Sequence, residues 1–298
     1  MFRSFDELEK HILDRSITRR IALCCANDEP ALSALVAARR KGLVECILIG
    51  DEPEVRKLLA TMNEDASYYT IIHEPDEMMA AQKAVMHTKA GEADIPMKGL
   101  MQTSSYMSAI LNKETGLLRK GKILSECTAF EYPEQDRIMF VTDCAINIMP
   151  TRDDKIEIIK NAAELANKFG IKDVKVAAIS ALERVNPKIP STIEADELAK
   201  LDWPDGIVVE GPFALDNAIS LEAAKHKGIS STVAGRADVL AMPDLCSANV
   251  MHKSLHFFAH LKTASTLCGT DYPVILTSRT DSFESKYYSI LIAILQSH

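Results

Sequence analysis

No apolar run in the 298-residue chain approaches the roughly 18–20 residues that a membrane-spanning helix needs. The longest, such as residues 21–26 and 290–295, are far shorter. The amino end, Met1-Phe2-Arg3-Ser4-Phe5-Asp6-Glu7, is charged where an export signal would be apolar, so a cytoplasmic protein with no membrane partner is expected. No segment is low in complexity, and 47% of the residues are hydrophobic, which excludes a disordered chain. Positive charge is in deficit. With 34 Lys+Arg against 42 Asp+Glu the net charge is −8, which argues against a nucleic-acid binder but leaves room for a local basic site. The seven cysteines contain no Cys-x-x-Cys pair, and most sit in apolar runs such as Leu23-Cys24-Cys25-Ala26. Reduced, buried thiols are expected rather than a disulfide framework.

Several catalytic signatures are missing as well. No Gly-x-Gly-x-x-Gly follows the first expected strand, so a Rossmann dinucleotide site has no support. There is no Gly-x-x-x-x-Gly-Lys-Ser/Thr phosphate loop, no Gly-x-Ser-x-Gly nucleophile elbow and no His-Glu-x-x-His. His252, His256 and His260 recur every four residues on an expected helix. The outer two would stand about 12 Å apart along the axis, too far for one ion held at about 2 Å by each. No nearby carboxylate completes a site, so a structural or solvent-facing stripe is expected and no metal.

What is present is alternation. β-Branched runs at 20–25, 44–49, 69–72 and 93–97 are separated by helix-period stretches at 52–62, 75–88 and 103–113, and by a helix opened by Asp28-Glu29-Pro30 and stopped by Gly42. Later strands are expected at 174–179, 206–209, 238–242 and 273–277. Thr151-Arg152-Asp153-Asp154 has capping-box spacing and opens an apolar stripe through Ile156, Ile159, Ala163, Ala166 and Phe169, closed by Gly170. This pattern predicts an α/β fold with largely parallel sheets. Residues 123–132 and 137–143 are separated only by Pro133–Asp136, which predicts a hairpin and a mixed sheet there. The change of sheet type suggests a domain boundary near mid-chain, with residues 1–136 in domain I and 137–269 in domain II.

Three loops carry candidate chemistry. Pro273-Val274-Ile275-Leu276-Thr277-Ser278-Arg279-Thr280-Asp281-Ser282-Phe283-Glu284-Ser285-Lys286 reads as a buried strand ending in Ser-Arg, with a helix beginning near Ser282. Ligands of open α/β sheets bind beyond the carboxyl ends of the strands, and helix N-termini favour anions. Arg279 would add a planar cationic fork suited to a phosphate or acyl phosphate. Glu210-Gly211-Pro212 through Asp216-Asn217, and Pro243-Asp244 through Asn249 to Lys253, place further polar groups after expected strands. A turn and a helix cap would account for each of these two equally well.

Together these segments resemble the phosphate acetyl/butyryl transferase family. The matching residues are Thr142-Asp143-Cys144-Ala145-Ile146-Asn147, Asn186-Pro187-Lys188-Ile189-Pro190-Ser191-Thr192, and Glu210-Gly211-Pro212 through Asp216-Asn217-Ala218. Val233-Ala234-Gly235, Ala237-Asp238-Val239-Leu240, the Pro243-to-Lys253 stretch and Leu276-Thr277-Ser278-Arg279 also match. Leu-Thr-Ser-Arg-x-Asp-Ser and Gly-Pro-x-Ala-Leu-Asp-Asn look more like the butyryl branch than the acetyl branch.

The resemblance implies a two-domain, three-layer α/β fold with mixed, mostly parallel sheets, like that of the isocitrate and isopropylmalate dehydrogenases. The last strand and helix, 270–298, would rejoin domain I. It implies exchange of CoA and phosphate on a short acyl group (butyryl-CoA + phosphate = butyryl phosphate + CoA), in a cleft between the domains of a homodimer. Coenzyme A would be a substrate, with no metal or redox cofactor. Arg279 would hold the phosphoryl group and Ser278 the thiolate or developing oxyanion. The acetyl branch carries an Asp base six residues after its Arg; here that position is Ser285, and Asp281 and Glu284 are the nearest carboxylates. Substrate binding would fall to Glu210, Gly211, Pro212, Asp216, Asn217, Asn249, Lys253 and Lys98. Acetyl or branched acyl groups are the alternative substrates, and a catalytically idle CoA-binding protein is the alternative of another class. A hydroxyacid oxidoreductase would need a metal-binding aspartate cluster and a nicotinamide site, and neither can be assembled.

Overall fold

The computed structural model describes residues 1–297 and divides the chain into two compact units. The first comprises Phe5–Lys122 and the chain from Ala264 on; the second comprises Met1–Ser4 and Ile123–Thr263. The chain therefore leaves the first unit, builds the second and returns. The division falls at 122/123 and 263/264 rather than at 136/137 and 269/270; at the first of these the hairpin at 125–142 keeps both of its strands in one unit.

The first unit runs α1 (Phe5–Asp14), β1 (Arg19–Cys24), α2 (Glu29–Arg40), β2 (Val44–Gly50), α3 (Glu52–Thr61), β3 (Thr70–His73), α4 (Glu77–Lys89), β4 (Ile95–Lys98) and α5 (Thr103–Ile110). Its strands lie in the order β3-β2-β1-β4, all parallel. Three of its helices begin on an aspartate just beyond a strand. Asp28, Asp51 and Asp76 accept the N–H groups of Ala31, Glu54 and Met79, satisfying donors that a helix start leaves free. α5 stops short of the expected 113 because the Asn112 side chain accepts the N–H groups of Glu114 and Thr115 and turns the chain.

The second unit runs β5 (Ser125–Tyr132), β6 (Arg137–Thr142), α6 (Arg152–Lys168), β7 (Val174–Ile179), α7 (Pro190–Ala199), β8 (Ile207–Phe213), α8 (Leu215–Ile219), α9 (Leu221–His226), β9 (Val239–Ala241) and α10 (Leu245–Phe257). β5 and β6 form the expected antiparallel hairpin, while β6, β9, β7 and β8 are parallel neighbours. The capping box at Thr151 and Asp154 is formed as the spacing predicts. Phe130, Val141, Ala177, Phe213, Leu240 and Leu255 lie in one buried cluster at the centre of this unit. Only His252 and His256 of the histidine stripe lie on α10. His260 falls beyond the helix end in a left-handed conformation (φ 51°), which breaks the four-residue repeat. His252 is buried, with Nδ1 3.0 Å from the Thr128 hydroxyl.

The returning chain adds β10 (Thr263–Cys268) and α11 (Phe283–Gln296). The stretch at 273–277, expected as a full strand, makes only isolated bridges, because Pro273 has no N–H to donate and the run is short. It nevertheless lies parallel to β4: Ile275 donates to Pro96 O at 3.0 Å and its carbonyl accepts Lys98 N at 3.1 Å. Burial of α11 explains its composition. Ile290 through Ile294 are wholly buried, and the helix packs on α2 and α1. Among the described residues no helix is long and apolar enough to cross a membrane, and six of the seven cysteines are buried free thiols, Cys246 being exposed.

Candidate active site

The order β3-β2-β1-β4 places a reversal of winding between β1 and β4, and such a switch point opens a crevice beyond the strands' carboxyl ends. Three backbone features shape it. Cys25, just past β1, takes a left-handed turn at φ 50°. Gly99, just past β4, donates to Cys24 O at 2.9 Å. A Cβ at Gly99 would lie 2.3 Å from Cys25 O, so only glycine permits this approach. α2 starts at the same edge, with Asp28 as its cap, and α11 starts from the loop that follows the strand-like 273–277.

Lys98 ends β4 and is buried, yet among the described residues its ammonium makes a single bond, to Gly99 O at 3.3 Å. Burial, then the positive charges of Arg279 and Lys286, hold it below the ordinary lysine pKa, against opposing pulls from Cys24 and Asp28. Arg279 is exposed and has no hydrogen bond or ion pair among the described residues. Lys286, on the second turn of α11, is 2% exposed and also held below the ordinary value by burial, against the nearby carboxylates of Asp28 and Asp281. Three cations gathered at one crevice repel one another, and an anion placed among them relieves that repulsion.

The loop carrying Arg279 is tightly bonded. Asp281 accepts the Ser278 N–H at 2.7 Å, its own N–H returns to Ser278 O at 3.2 Å, and the Ser278 and Thr280 hydroxyls lie 3.1 Å apart. Ser282 caps α11 by accepting from Ser285 N at 3.1 Å. Lys98 and the Ser278–Asp281 loop thus lie in the first unit, with Arg279 near enough to Lys98 for its charge to act on it. Asp281 is engaged in shaping the loop. Glu284, in the first turn of α11, is exposed and has no partner among the described residues.

In the second unit the carboxyl ends of β6, β7, β8 and β9 share one edge. The residues singled out from sequence distribute unevenly along it. Glu210, Gly211 and Pro212 lie within β8 rather than in a loop, because the strand continues to Phe213. The Glu210 carboxylate is occupied by the N–H and hydroxyl of Thr232, at 3.1 and 2.5 Å. Asp216 pairs with Lys227 at 3.0 Å, and that partner's hydrogen bond lowers its pKa. Asn217 is fully buried; its amide nitrogen donates to Glu183 at 3.3 Å, and its Oδ1 has no partner among the described residues. Asn249 donates to Cys144 O at 3.1 Å, tying α10 to the loop after β6, and Lys253 lies one turn further along α10.

That β6 loop, which the sequence offers only as a motif, is organised by one carboxylate. Asp143 accepts from the N–H groups of Glu126, Ala145, Ile146 and Asn147 and from the Asn147 side chain. Burial pushes its pKa up while these donors draw it back. Sequence reasoning also misses Lys286 and the place of Asp28 at the crevice. The available signal for Lys286 is a charge at helical spacing with Ile290 and Ala293, on an otherwise apolar face.

The chain is similar to known proteins over nearly its whole length. A family model described as phosphate acetyl/butaryl transferase matches residues 72–294. The phosphate butyryltransferase of Clostridium acetobutylicum is 41% identical over 298 residues, covering 99% of this chain and 98% of that one. The phosphate acetyltransferase of Thermotoga maritima is 39% identical over 290 residues, 96% of this chain and 98% of the other. Among solved structures, a branched-chain phosphotransacylase from Enterococcus faecalis V583 aligns with a TM-score of 0.85 at 34% identity, over 94% of this chain and 99% of that one.

Proposed function

Since this chain belongs to the phosphate acetyl/butaryl transferase family, we propose that it exchanges coenzyme A and phosphate on a short acyl group, with butyryl-CoA and phosphate giving butyryl phosphate and CoA. The observation that carries this reading is the gathering of Lys98, Arg279 and Lys286 around one crevice, with Arg279 left free to take an anion. Arg279 offers a planar fork to two phosphoryl oxygens, and Lys98 adds a desolvated charge beside it.

In the direction of CoA acylation, the thiol proton passes to a carboxylate and the thiolate sulfur attacks the acyl carbon. The carbon–oxygen bond to the phosphoryl group then breaks, and phosphate departs with the electron pair. A thiol near pKa 8.5 is mostly protonated at neutral pH, so the base matters. Glu284 is free to serve, whereas Asp281 already accepts the Ser278 N–H on one of its oxygens. The Ser278 hydroxyl stabilises the thiolate or the developing oxyanion. The step balances with CoA as a substrate and requires no metal or redox cofactor. In the second unit, Asn217, with its unpartnered Oδ1, and the Asn249–Lys253 turn are assigned to substrate binding. A cytoplasmic homodimer is the assembly proposed. Ile148, Met149, Val250, Phe257 and Phe258, all exposed on or beside α10, support self-association.

Chain length is a finer question. The Clostridium acetobutylicum relative is named for butyryl, the Thermotoga maritima relative for acetyl, and the Enterococcus faecalis structure as a branched-chain phosphotransacylase, so straight and branched short acyl groups are candidates. Thiol release should be followed with acetyl-, propionyl-, butyryl- and isobutyryl-CoA and phosphate, with and without EDTA. Phosphate-dependent release, fastest with a four-carbon chain and indifferent to EDTA, is expected. Release that does not depend on phosphate would refute the reading.

A further inference from the structure

Lys286 is an unusual residue for its position. It lies on the buried face of α11, and an apolar side chain there would avoid the cost of desolvating an ammonium. Among the described residues no ion pair offsets that cost. Its Nζ instead reaches back past the helix start, in the direction helical side chains lean, and donates to Ser278 O at 2.7 Å and to the Thr277 hydroxyl at 3.3 Å. Both acceptors precede Arg279 in the chain, and Ser278 O is the atom that also receives the Asp281 N–H. The ammonium is thus a point at which the anion loop is fastened to the helix beneath it.

We infer that Lys286 is a positioning residue: it holds the backbone at Thr277–Ser278 so that Arg279 and the Ser278 hydroxyl meet the phosphoryl group in a fixed geometry. The inference rests on the assignment of Arg279 to phosphate. It explains why a buried charge with no ion pair among the described residues stands where packing alone favours leucine or methionine. The cost is borne in the free enzyme, and the gain comes when the fixed loop binds an anion.

A positioning role and a packing role predict opposite stability effects. Lys286→Met removes a buried charge while keeping the volume, so the melting temperature should hold or rise, as it often does when a buried charge gives way to an apolar residue. The Michaelis constant for inorganic phosphate, measured in phosphorolysis of butyryl-CoA, should increase about tenfold or more, with that for butyryl-CoA changed about twofold or less. Lys286→Gln should behave alike, because its amide is too short to reach Ser278 O. In an Arg279→Ala background, Lys286→Met should add less than about a threefold effect, since residues acting through one another are not additive. Unchanged phosphate saturation in folded Lys286→Met, an equal effect with and without Arg279, or a collapse of melting temperature in both single variants would each overturn the inference. If Arg279→Ala alone leaves phosphate saturation intact, the assignment of the site fails instead.

Discussion

Replacing Arg279 by alanine tests the centre of the reading. The side chain is exposed and unpartnered among the described residues, so its removal abandons no core contact and leaves no buried group unsatisfied. It also relieves the charge that holds Lys98 below the ordinary lysine value. Stability should therefore stay level or rise slightly. Catalysis should not. A bidentate Arg–phosphoryl contact supplies two charge-assisted hydrogen bonds of about 1.5–3 kcal/mol each. Solvent access and the remaining charge on Lys98 reduce that sum, so a loss of about 3–5 kcal/mol, or roughly 10²–10⁴ in kcat/KM, is expected. A lysine in its place would keep a charge without the planar fork, so Arg279→Lys should recover only part of the loss. The assay is thiol release from butyryl-CoA across a phosphate series, with melting temperature recorded on the same preparations. Near-normal phosphate saturation and turnover in the folded alanine variant would refute the reasoning.

Glu284→Gln should lower kcat by about 10²–10⁴, with partial recovery at higher pH where the thiol ionises unaided. Asp281→Asn should raise the phosphate Michaelis constant as well, because Asp281 also holds the Ser278 N–H; a kcat loss confined to Asp281 would exchange their roles. Lys98→Met should weaken phosphate binding. It should also flatten a stability slope whose sign follows from the lowered pKa. Between that value and the ordinary one of about 10.4 the unfolded chain holds a proton that the folded protein has lost, so native stability rises with pH in this window. Thermal melts of both proteins across alkaline pH check it, and equal slopes would contradict it. Gly99→Ala should cost about 1–3 kcal/mol, since its Cβ meets backbone at 2.3 Å; an unchanged melting temperature would mean that the Cys24–Cys25 turn yields easily.

Local chemistry makes much of the architecture legible. Asp28, Thr151 and Ser282 announce helix starts because capping depends on a few neighbouring residues, and the hairpin follows from one short separation between two apolar runs. α1 escapes a reading that takes the amino end only for its charge, although Phe5, Leu8 and Ile12 repeat at helical spacing. Glu210 reads as a loop acid because Gly211-Pro212 looks like a turn, yet the strand runs through it. Arg279 stands out by its place between an apolar run and a helix start. Lys286 does not. Its burial, and the bonds that give it a role, exist only once α11 has packed, and no local pattern distinguishes such a lysine from a solvated one.

The return of the chain to its first unit has a consequence for synthesis. β1, α2 and β4 are made early, but α11, which packs on α2, emerges after the whole second unit. Until then an apolar surface on α2 stays open, a state that recruits chaperones or aggregates. Arg279 and Lys286 arrive on the same segment. A nascent chain halted before Pro273, or one clipped there later, therefore loses Arg279, the residue proposed to take phosphate, and the helix that packs on α2 together. Damage at this end should be read out as removal by quality control rather than as a population of stable, inactive enzyme.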